Sequence, residues 1–157
     1  MEAYFAGGCF WCITPIFATR KGVSKVTCGY SGGKEENPKY EDVKAQKTGH
    51  RETIKVEYDE SVISFEKLLE IFLTNVELDN SEGQYIDKGH SYTLAVYYVD
   101  DKQKDIVNQR LSKYDKPVYV AVEKFDKFYM AEEYHQDFYL KHPEEFEQEL
   151  ISSGRKQ

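Results

Sequence analysis

Cysteine is scarce and poorly placed for cross-linking: Cys9, Cys12 and Cys28 are the only three, all in the first fifth of a 157-residue chain. An odd, clustered set cannot be a disulfide framework for the whole domain, which leaves redox, nucleophilic or metal-binding roles. Long apolar runs are missing too. The segment Leu68 to Leu73 is broken by Glu70 and is far shorter than the ~20 residues of a membrane span. Positive charge is in deficit, with 21 Lys and Arg against 28 Asp and Glu, a net charge of −7 and a pI near 5.2. Such a surface does not track phosphates, so nucleic acid is excluded as a partner. The start, Met1-Glu2-Ala3-Tyr4, lacks a basic region, and Gly7 and Gly8 interrupt the apolar part that follows. It reads as no signal peptide, and the protein as cytoplasmic. No 20- to 50-residue repeat, low-complexity run or Gly/Ser linker divides the chain, so residues 1–157 read as a single domain. What is abundant is aromatic: 13 tyrosines, nine phenylalanines and one tryptophan, far more than a disordered acidic chain carries.

Periodicity gives the elements. Tyr4 to Ala6 reads as a short strand running into Gly7-Gly8, and Cys9 to Arg20 as a helix with apolar Ile13, Ile16 and Phe17. Val23 to Cys28 is β-branched and ends in the turn residues Gly29, Gly32 and Gly33. Asn37-Pro38 supplies an N-cap and first-turn proline for a helix through Tyr40 and Val43. Ile54, Val56 and Tyr58 alternate with polar residues as in a half-buried strand. Ser64 caps a helix whose apolar stripe runs from Phe65 to Val76. Glu77 to Ser91 has no sustained period, as in a functional loop. Beyond it, Tyr92 to Val99 and Val118 to Val122 read as strands, and Asp105 to Tyr114, Ala131 to Leu140 and Pro143 to Ile151 as helices. The fold class expected is α+β, a two-layer sandwich with helices on a central mixed sheet, ferredoxin-like.

The string Gly7-Gly8-Cys9-Phe10-Trp11-Cys12 joins two thiols, two large aromatics and two glycines at a strand-to-helix junction. A thiol at a helix N-terminus meets the positive end of the macrodipole, which lowers its pKa from ~8.5 toward neutrality. Cys9 is placed for that, and Cys12 lies one turn further in. Three other readings compete: buried thiols that act as small hydrophobes, a zinc site drawing on Cys28 and His50, and a thioredoxin-type dithiol. Zinc is disfavoured because the second closely spaced ligand pair is missing, so no metal is expected. The dithiol reading fits poorly with the bulky Phe10-Trp11 pair, which is better suited to lining a substrate pocket.

The string resembles the active-site motif of the A-class peptide-methionine sulfoxide reductases, and four further segments resemble that family in the same order. These are Gly29-Tyr30-Ser31-Gly32-Gly33 with Asn37-Pro38-Lys39-Tyr40, then Thr48-Gly49-His50-Arg51-Glu52. Gly83-Gln84 through Asp87-Lys88-Gly89 to Tyr92 follows, and lastly Ala131-Glu132-Glu133-Tyr134-His135-Gln136-Asp137. The resemblance spans nearly the whole chain. It implies reduction of methionine S-sulfoxide, free or in oxidised proteins, through a sulfenic acid on Cys9, without a cofactor and by a monomer.

The resemblance also implies roles. Cys9 is the nucleophile, Glu52 the proton donor, and Phe10 and Trp11 the walls around the substrate methyl group. Tyr40 and Tyr92 hydrogen-bond the sulfoxide oxygen, Asp87 accepts from the substrate's backbone amide, and His135 contacts substrate nearby. The physics each must satisfy is plain: a soft nucleophile for sulfur and an acid for the departing oxygen. Glu52 precedes the strand Ile54 to Tyr58 and is expected at a sheet edge, with a pKa two to three units above ~4.3. For His135 an ordinary structural histidine is an equal reading.

Four departures from the family pattern stand out: Thr14 where a glutamate is usual, His90-Ser91-Tyr92-Thr93 in the loop, Phe138 where a tyrosine is common, and no cysteine after Cys28. The last bears on how the oxidised enzyme is reset. Cys12 is a possible resolving thiol, but a helical Cys12 is expected to point along the helix and away from the pocket. Direct attack on the Cys9 sulfenic acid by glutathione with glutaredoxin, or by thioredoxin, is therefore favoured.

Overall fold

The computed structural model describes residues 1–155. Strand β1 (Glu2–Gly7) leads into helix α1 (Phe10–Ala18), then β2 (Val23–Ser31), the short α2 (Tyr40–Lys44) and β3 (Arg51–Tyr58). Helix α3 (Phe65–Thr74) follows, then a two-residue hairpin of β4 (Gly83–Gln84) and β5 (Asp87–Lys88), and a 3-10 turn at His90–Tyr92. Strand β6 (Leu94–Tyr98), helix α4 (Asp101–Leu111), β7 (Val120–Lys124), β8 (Phe128–Met130), α5 (Phe138–Lys141) and α6 (Pro143–Ser152) complete the described chain.

Six strands form one mixed sheet in the order β7-β6-β1-β3-β2-β8, with every pairing antiparallel except β6 with β7. Alternation along β1 explains its two-sided burial. Ala3 and Phe5 enter the main core with Phe10, Ile13 and Phe17 of α1, Leu68 and Phe72 of α3 and Val107 of α4. Tyr4 and Ala6 face the other way, with Ala95 and Tyr97. Phe125 covers that second face, its ring stacked on Tyr4 at 4.0 Å between centroids.

The sheet is strongly curled, for a reason of chain length. Strands β7 and β8 are at opposite edges, which in a flat sheet would be about 24 Å apart at ~4.8 Å per strand. Only residues 125–127 join them, a connection that reaches about 14 Å from Lys124 to Phe128. The edges must therefore roll toward each other. Bonds across the concave face hold the roll: Ser31 Oγ donates to the Lys127 carbonyl (2.9 Å), Arg51 Nη1 donates to Tyr97 Oη and Glu123 Oε2 (3.0 Å each), and Tyr97 Oη donates to the Ser31 carbonyl (3.3 Å).

Most expected elements are present, with four differences. Gly29 lies inside β2, which runs on to Ser31. Asn37 is not a cap: it takes a left-handed conformation at φ 49°, and Lys39 occupies the cap position of α2. Strand β8 was not anticipated. The segment 131–140 is not one helix, because it is tied to β2 instead. Ala131 N–H donates to the Cys28 carbonyl (2.8 Å), and the Gln136 amide bonds both the N–H and the carbonyl of Cys28 (2.9 Å each). Among the described residues no helix is long and apolar enough to cross a membrane.

Gly29 permits the β2–β8 contact, since a Cβ there would lie 2.3 Å from Phe128 Cζ and 2.5 Å from the Tyr129 carbonyl oxygen. Gly29→Ala is expected to push β8 outward and lower stability by about 1–3 kcal/mol, the range for overpacking. Urea unfolding checks this, and an unchanged midpoint would contradict the close approach.

Candidate active site

Chemistry is brought together where α1 begins. Cys9 stands at the N-cap of α1 and makes no side-chain capping bond, so its thiol is not spent on helix termination. It is 8% exposed. The first helical N–H, that of Phe10, donates instead to Glu52 Oε1 at 3.1 Å. Glu52 is 1% exposed and lies within β3 opposite Tyr30. Because β3 runs between β1 and β2, this corrects the expected edge position: the carboxyl rises from the middle of the sheet toward the helix start.

Burial above all raises the Glu52 pKa, from an ordinary 4.5 to about 8. The Phe10 N–H opposes, Asp87 and Cys12 add to the rise, and Lys44 again opposes. Its second oxygen, Oε2, is buried with no hydrogen-bond partner among the described residues. A carboxyl in this state is protonated at neutral pH and has a proton to give.

Cys9 departs from expectation. Its pKa is raised well above its usual value, first by interaction with the Cys12 side chain, then by burial, then by the charges of Cys12, Glu52 and Asp87. The Cys12 side chain and near-complete burial outweigh the helix terminus that the sequence pointed to. Cys12 acts on the thiol from one turn further along α1. Cys28 is occupied elsewhere. Its Sγ lies 3.3 Å from Thr14 Oγ1, which itself donates to the Phe10 carbonyl at 2.6 Å, and burial pushes its thiol up to about 12.

An aromatic group adjoins the thiol. Phe10 is fully buried, near Tyr30 (5.8 Å between ring centroids), Tyr40 (6.2 Å) and His135 (5.3 Å). Trp11 is half-buried and fixed on two sides. Its Nε1–H donates to His135 Nδ1 at 2.9 Å, and its ring stacks on Phe138 at 3.9 Å and 6°. Burial lowers the His135 pKa, against the pull of Glu132, which suits a neutral ring accepting at Nδ1. Tyr40 opens α2 with its ring 4.3 Å from that of His135, and Tyr92 ends the 3-10 turn, buried. In both tyrosines burial first, and then Glu52, raises the pKa, so both hydroxyls keep their protons as donors. Asp87, on β5, has Oδ2 buried without a partner among the described residues; burial raises its pKa against Arg155 and Lys44. The structure thus gathers Cys9, Cys12, Phe10, Trp11, Tyr40, Glu52, Asp87, Tyr92 and His135 around one point.

Three contributors were not singled out from sequence. Glu132 accepts from Tyr30 Oη (2.8 Å) and from the Tyr40 N–H (3.0 Å), so it pins α2 against the sheet. Gln136 ties the His135 segment to Cys28. Phe138, read only as a missing hydroxyl, is the platform under Trp11. Glu132 and Gln136 stood within a matched segment, which was the available signal.

The family model for peptide methionine sulfoxide reductase matches residues 1–157. The chain belongs to that family. The reductase is 42% identical to the peptide methionine sulfoxide reductase MsrA of Bacillus licheniformis, over 98% of this chain and 88% of that protein. It is also 42% identical to MsrA of Bacillus subtilis, over 98% and 90%. Among solved structures, reduced Mxr1 of Saccharomyces cerevisiae superposes with a TM-score of 0.83 at 25% identity, covering 92% of this chain and 86% of that one. Mxr1 has also been solved in complex with Trx2, there with a TM-score of 0.54 and 16% identity over 82% and 78%. Family membership places the reductase among the thiol-dependent enzymes that act on methionine S-sulfoxide.

The raised Glu52 pKa has a stability consequence. With the folded value near 8 and an ordinary value of 4.5, folding binds a proton between these limits. The stability this contributes is fully present below about pH 4.5 and is lost as pH rises through 8, about 5 kcal/mol at full expression. Unfolding free energies compared between the reductase and its Glu52→Gln variant should diverge by several kcal/mol from about pH 5 to 9, the variant gaining. Parallel curves would place the Glu52 pKa near its ordinary value.

Proposed function

We propose that Cys9 attacks the sulfur of methionine S-sulfoxide while Glu52 protonates the oxygen, yielding methionine and a Cys9 sulfenic acid. The oxygen moves from substrate sulfur to Cys9 sulfur, so the substrate sulfur gains two electrons and Cys9 loses two. The observation that carries this reading is the buried, neutral Glu52 carboxyl. One of its oxygens is fixed by the Phe10 N–H, and the other has no partner among the described residues.

In the resting enzyme the thiol is neutral. Proton transfer from Glu52 to the sulfoxide removes the need to build a second negative charge beside Asp87, and the Cys9 proton passes to the Glu52 carboxylate so formed as the sulfur bonds to the substrate. Tyr40 and Tyr92 act as phenolic donors to the S–O oxygen as charge develops there. Trp11, with the buried Phe10, provides an apolar wall for the methyl group. Asp87 Oδ2 accepts from the substrate's backbone amide. His135 works through Trp11, holding the indole at its angle, and contacts substrate only at the rim.

Resetting runs through Cys12. Its thiol displaces water from the Cys9 sulfenic acid and leaves a Cys9–Cys12 disulfide, for an external dithiol of the thioredoxin type or glutathione with glutaredoxin to reduce. Support comes from the effect of the Cys12 side chain on the Cys9 thiol from one turn further along α1; direct external attack is the competing route. Residues 1–157 act as one monomeric domain in the cytoplasm, where thiol reductants are maintained. Its β1-α1-β2-β3-α3-β6 core, with the sheet order β6-β1-β3-β2, is of ferredoxin-like type.

Racemic methionine sulfoxide incubated with enzyme and dithiothreitol should be half consumed, leaving the R epimer; no consumption sinks the proposal. Cys9→Ser should abolish turnover, Cys28→Ser should keep most of it, and Glu52→Gln should slow single-turnover chemistry roughly 100- to 10,000-fold.

The resetting route has its own measurement. All three cysteines start as free thiols. Excess substrate without reductant should leave one free thiol and a Cys9–Cys12 bridge in the peptide map. Two free thiols, with a sulfenic-acid probe on Cys9, would return the route to direct external attack.

A further inference from the structure

The end of the described chain turns back onto the site. Helix α6 closes with Ser153 N–H donating to the Glu149 carbonyl (3.0 Å) and Gly154 N–H to the Ile151 carbonyl (3.2 Å). Gly154 then takes φ 89°, a left-handed turn that costs glycine least and reverses the chain direction. Arg155 thereby lands on the segment that enters Cys9: its Nη2 donates to the Gly7 carbonyl at 3.2 Å. Its guanidinium carbon lies 4.7 Å from the centroid of the Tyr85 ring. Gly8 makes room for this approach, since a Cβ there would be 2.8 Å from Nη2. The side chain is therefore held on one edge and one face.

One of its other donors, Nε, is buried without a hydrogen-bond partner among the described residues, and so is Asp87 Oδ2. Nε–H and Nη2–H share one edge of the planar guanidinium fork, so the open donor faces the same side as the Gly7 contact. Arg155 is close enough to Asp87 to act on its carboxyl electrostatically, yet no direct ion pair joins them among the described residues. A methionine residue offers a complementary pair of groups: an amide N–H on one side of its Cα and a carbonyl or carboxylate on the other.

We infer that Arg155 is a substrate-positioning residue whose Nε–H donates to the carbonyl or carboxylate oxygen of the methionine sulfoxide that Asp87 holds by its N–H. The inference rests on the proposed reductase reading. It assigns the C-terminal turn to recognition of the substrate main chain, away from the sulfur chemistry. Two sources of that oxygen differ in charge. A free carboxylate gains a charge-assisted bond, and a peptide carbonyl gains a neutral-acceptor bond of about half the strength.

The test uses the full chain with two S-sulfoxide substrates: N-acetyl-methionine sulfoxide, which carries the carboxylate, and its N′-methylamide, which carries only a carbonyl. Arg155→Met should raise KM roughly 10-fold for the amide and roughly 50-fold for the carboxylate, with kcat within about twofold for both. Arg155→Lys should restore part of the carboxylate preference and little of the amide binding, because a point charge replaces a fixed fork. A general loosening of the C-terminal turn would move both substrates equally. An unchanged ratio of their KM values, or a fall confined to kcat, therefore overturns the inference. If the unmodified enzyme reduces neither substrate, the reductase reading itself fails, which is a distinct result.

Discussion

The Phe10 N–H to Glu52 bond organises this site. An α-helix presents unpaired N–H groups at its start, and most helices satisfy them with a capping side chain. Here a carboxyl from the middle of the sheet takes the first of them, and that choice has two effects. It leaves Cys9, the residue at the cap position, with a free thiol. It also locks the helix start, and with it Cys9 and Cys12, to a strand flanked on both sides by other strands. The carboxyl cannot be charged cheaply in this place. Unit charges 4 Å apart repel by about 4 kcal/mol at an effective dielectric near 20, and Cys9 and Asp87 share the neighbourhood. The site resolves the conflict by keeping protons on Glu52 and Cys9.

Around this bond the aromatic residues are held by polar groups as much as by one another. The Trp11 indole is clamped between His135 Nδ1 and the Phe138 ring. Glu132, which receives both the Tyr30 hydroxyl and the Tyr40 N–H, ties α2 to the sheet. Burial would raise the Glu132 pKa, but it is held below the ordinary range by the N–H groups of Glu132 and Tyr40, the Tyr30 hydroxyl and His135. One ionised carboxylate at the rim therefore supports the aromatic wall, while the carboxyl beneath it stays neutral. Two glutamates take opposite states because Glu52 is fully buried with a single donor, whereas Glu132 is exposed and receives several.

What sequence could and could not reveal follows from the range of the forces involved. Strand β3 and helix α3 carry their own periods, and Ser64 caps α3 as its type and position foretold, accepting from the Lys67 N–H at 3.1 Å. The segment 131–137 has no such local code. Its conformation is set by Gln136 and Ala131 bonding to Cys28, more than 100 residues earlier, so a helical pattern there was overruled by tertiary hydrogen bonds. Strand β8 is three residues long and exists because the rolled sheet returns the chain to β2. Glu52 looked like an edge residue because apolar alternation starts only at Ile54, whereas Arg51, Glu52 and Thr53 are all buried and polar, a pattern that periodicity reads as loop. The Cys9 thiol differs from its expectation for a related reason: a helix terminus is visible in sequence, and the Cys12 contribution and the burial that outweigh it are not.

Recognition at this site must act at short range. The chain carries a net charge of −7, yet a methionine sulfoxide side chain is a neutral dipole and gains nothing from long-range steering. An acidic surface does repel acidic targets and a free carboxylate at distances up to the Debye length, about 8 Å at physiological salt. Within that distance the local balance changes. The cations acting on Asp87 are Arg155 and Lys44, and Lys44 Nζ also lies 5.7 Å from the centroid of the Tyr40 ring. A substrate that reaches the site thus passes from a repelling exterior into a pocket where, on the proposed reading, the aromatic wall selects the methyl group and neutral acids select the oxygen. Selectivity of this kind depends on rigid placement, and placement here is carried by the sheet, the α1 terminus and the rim carboxylate together.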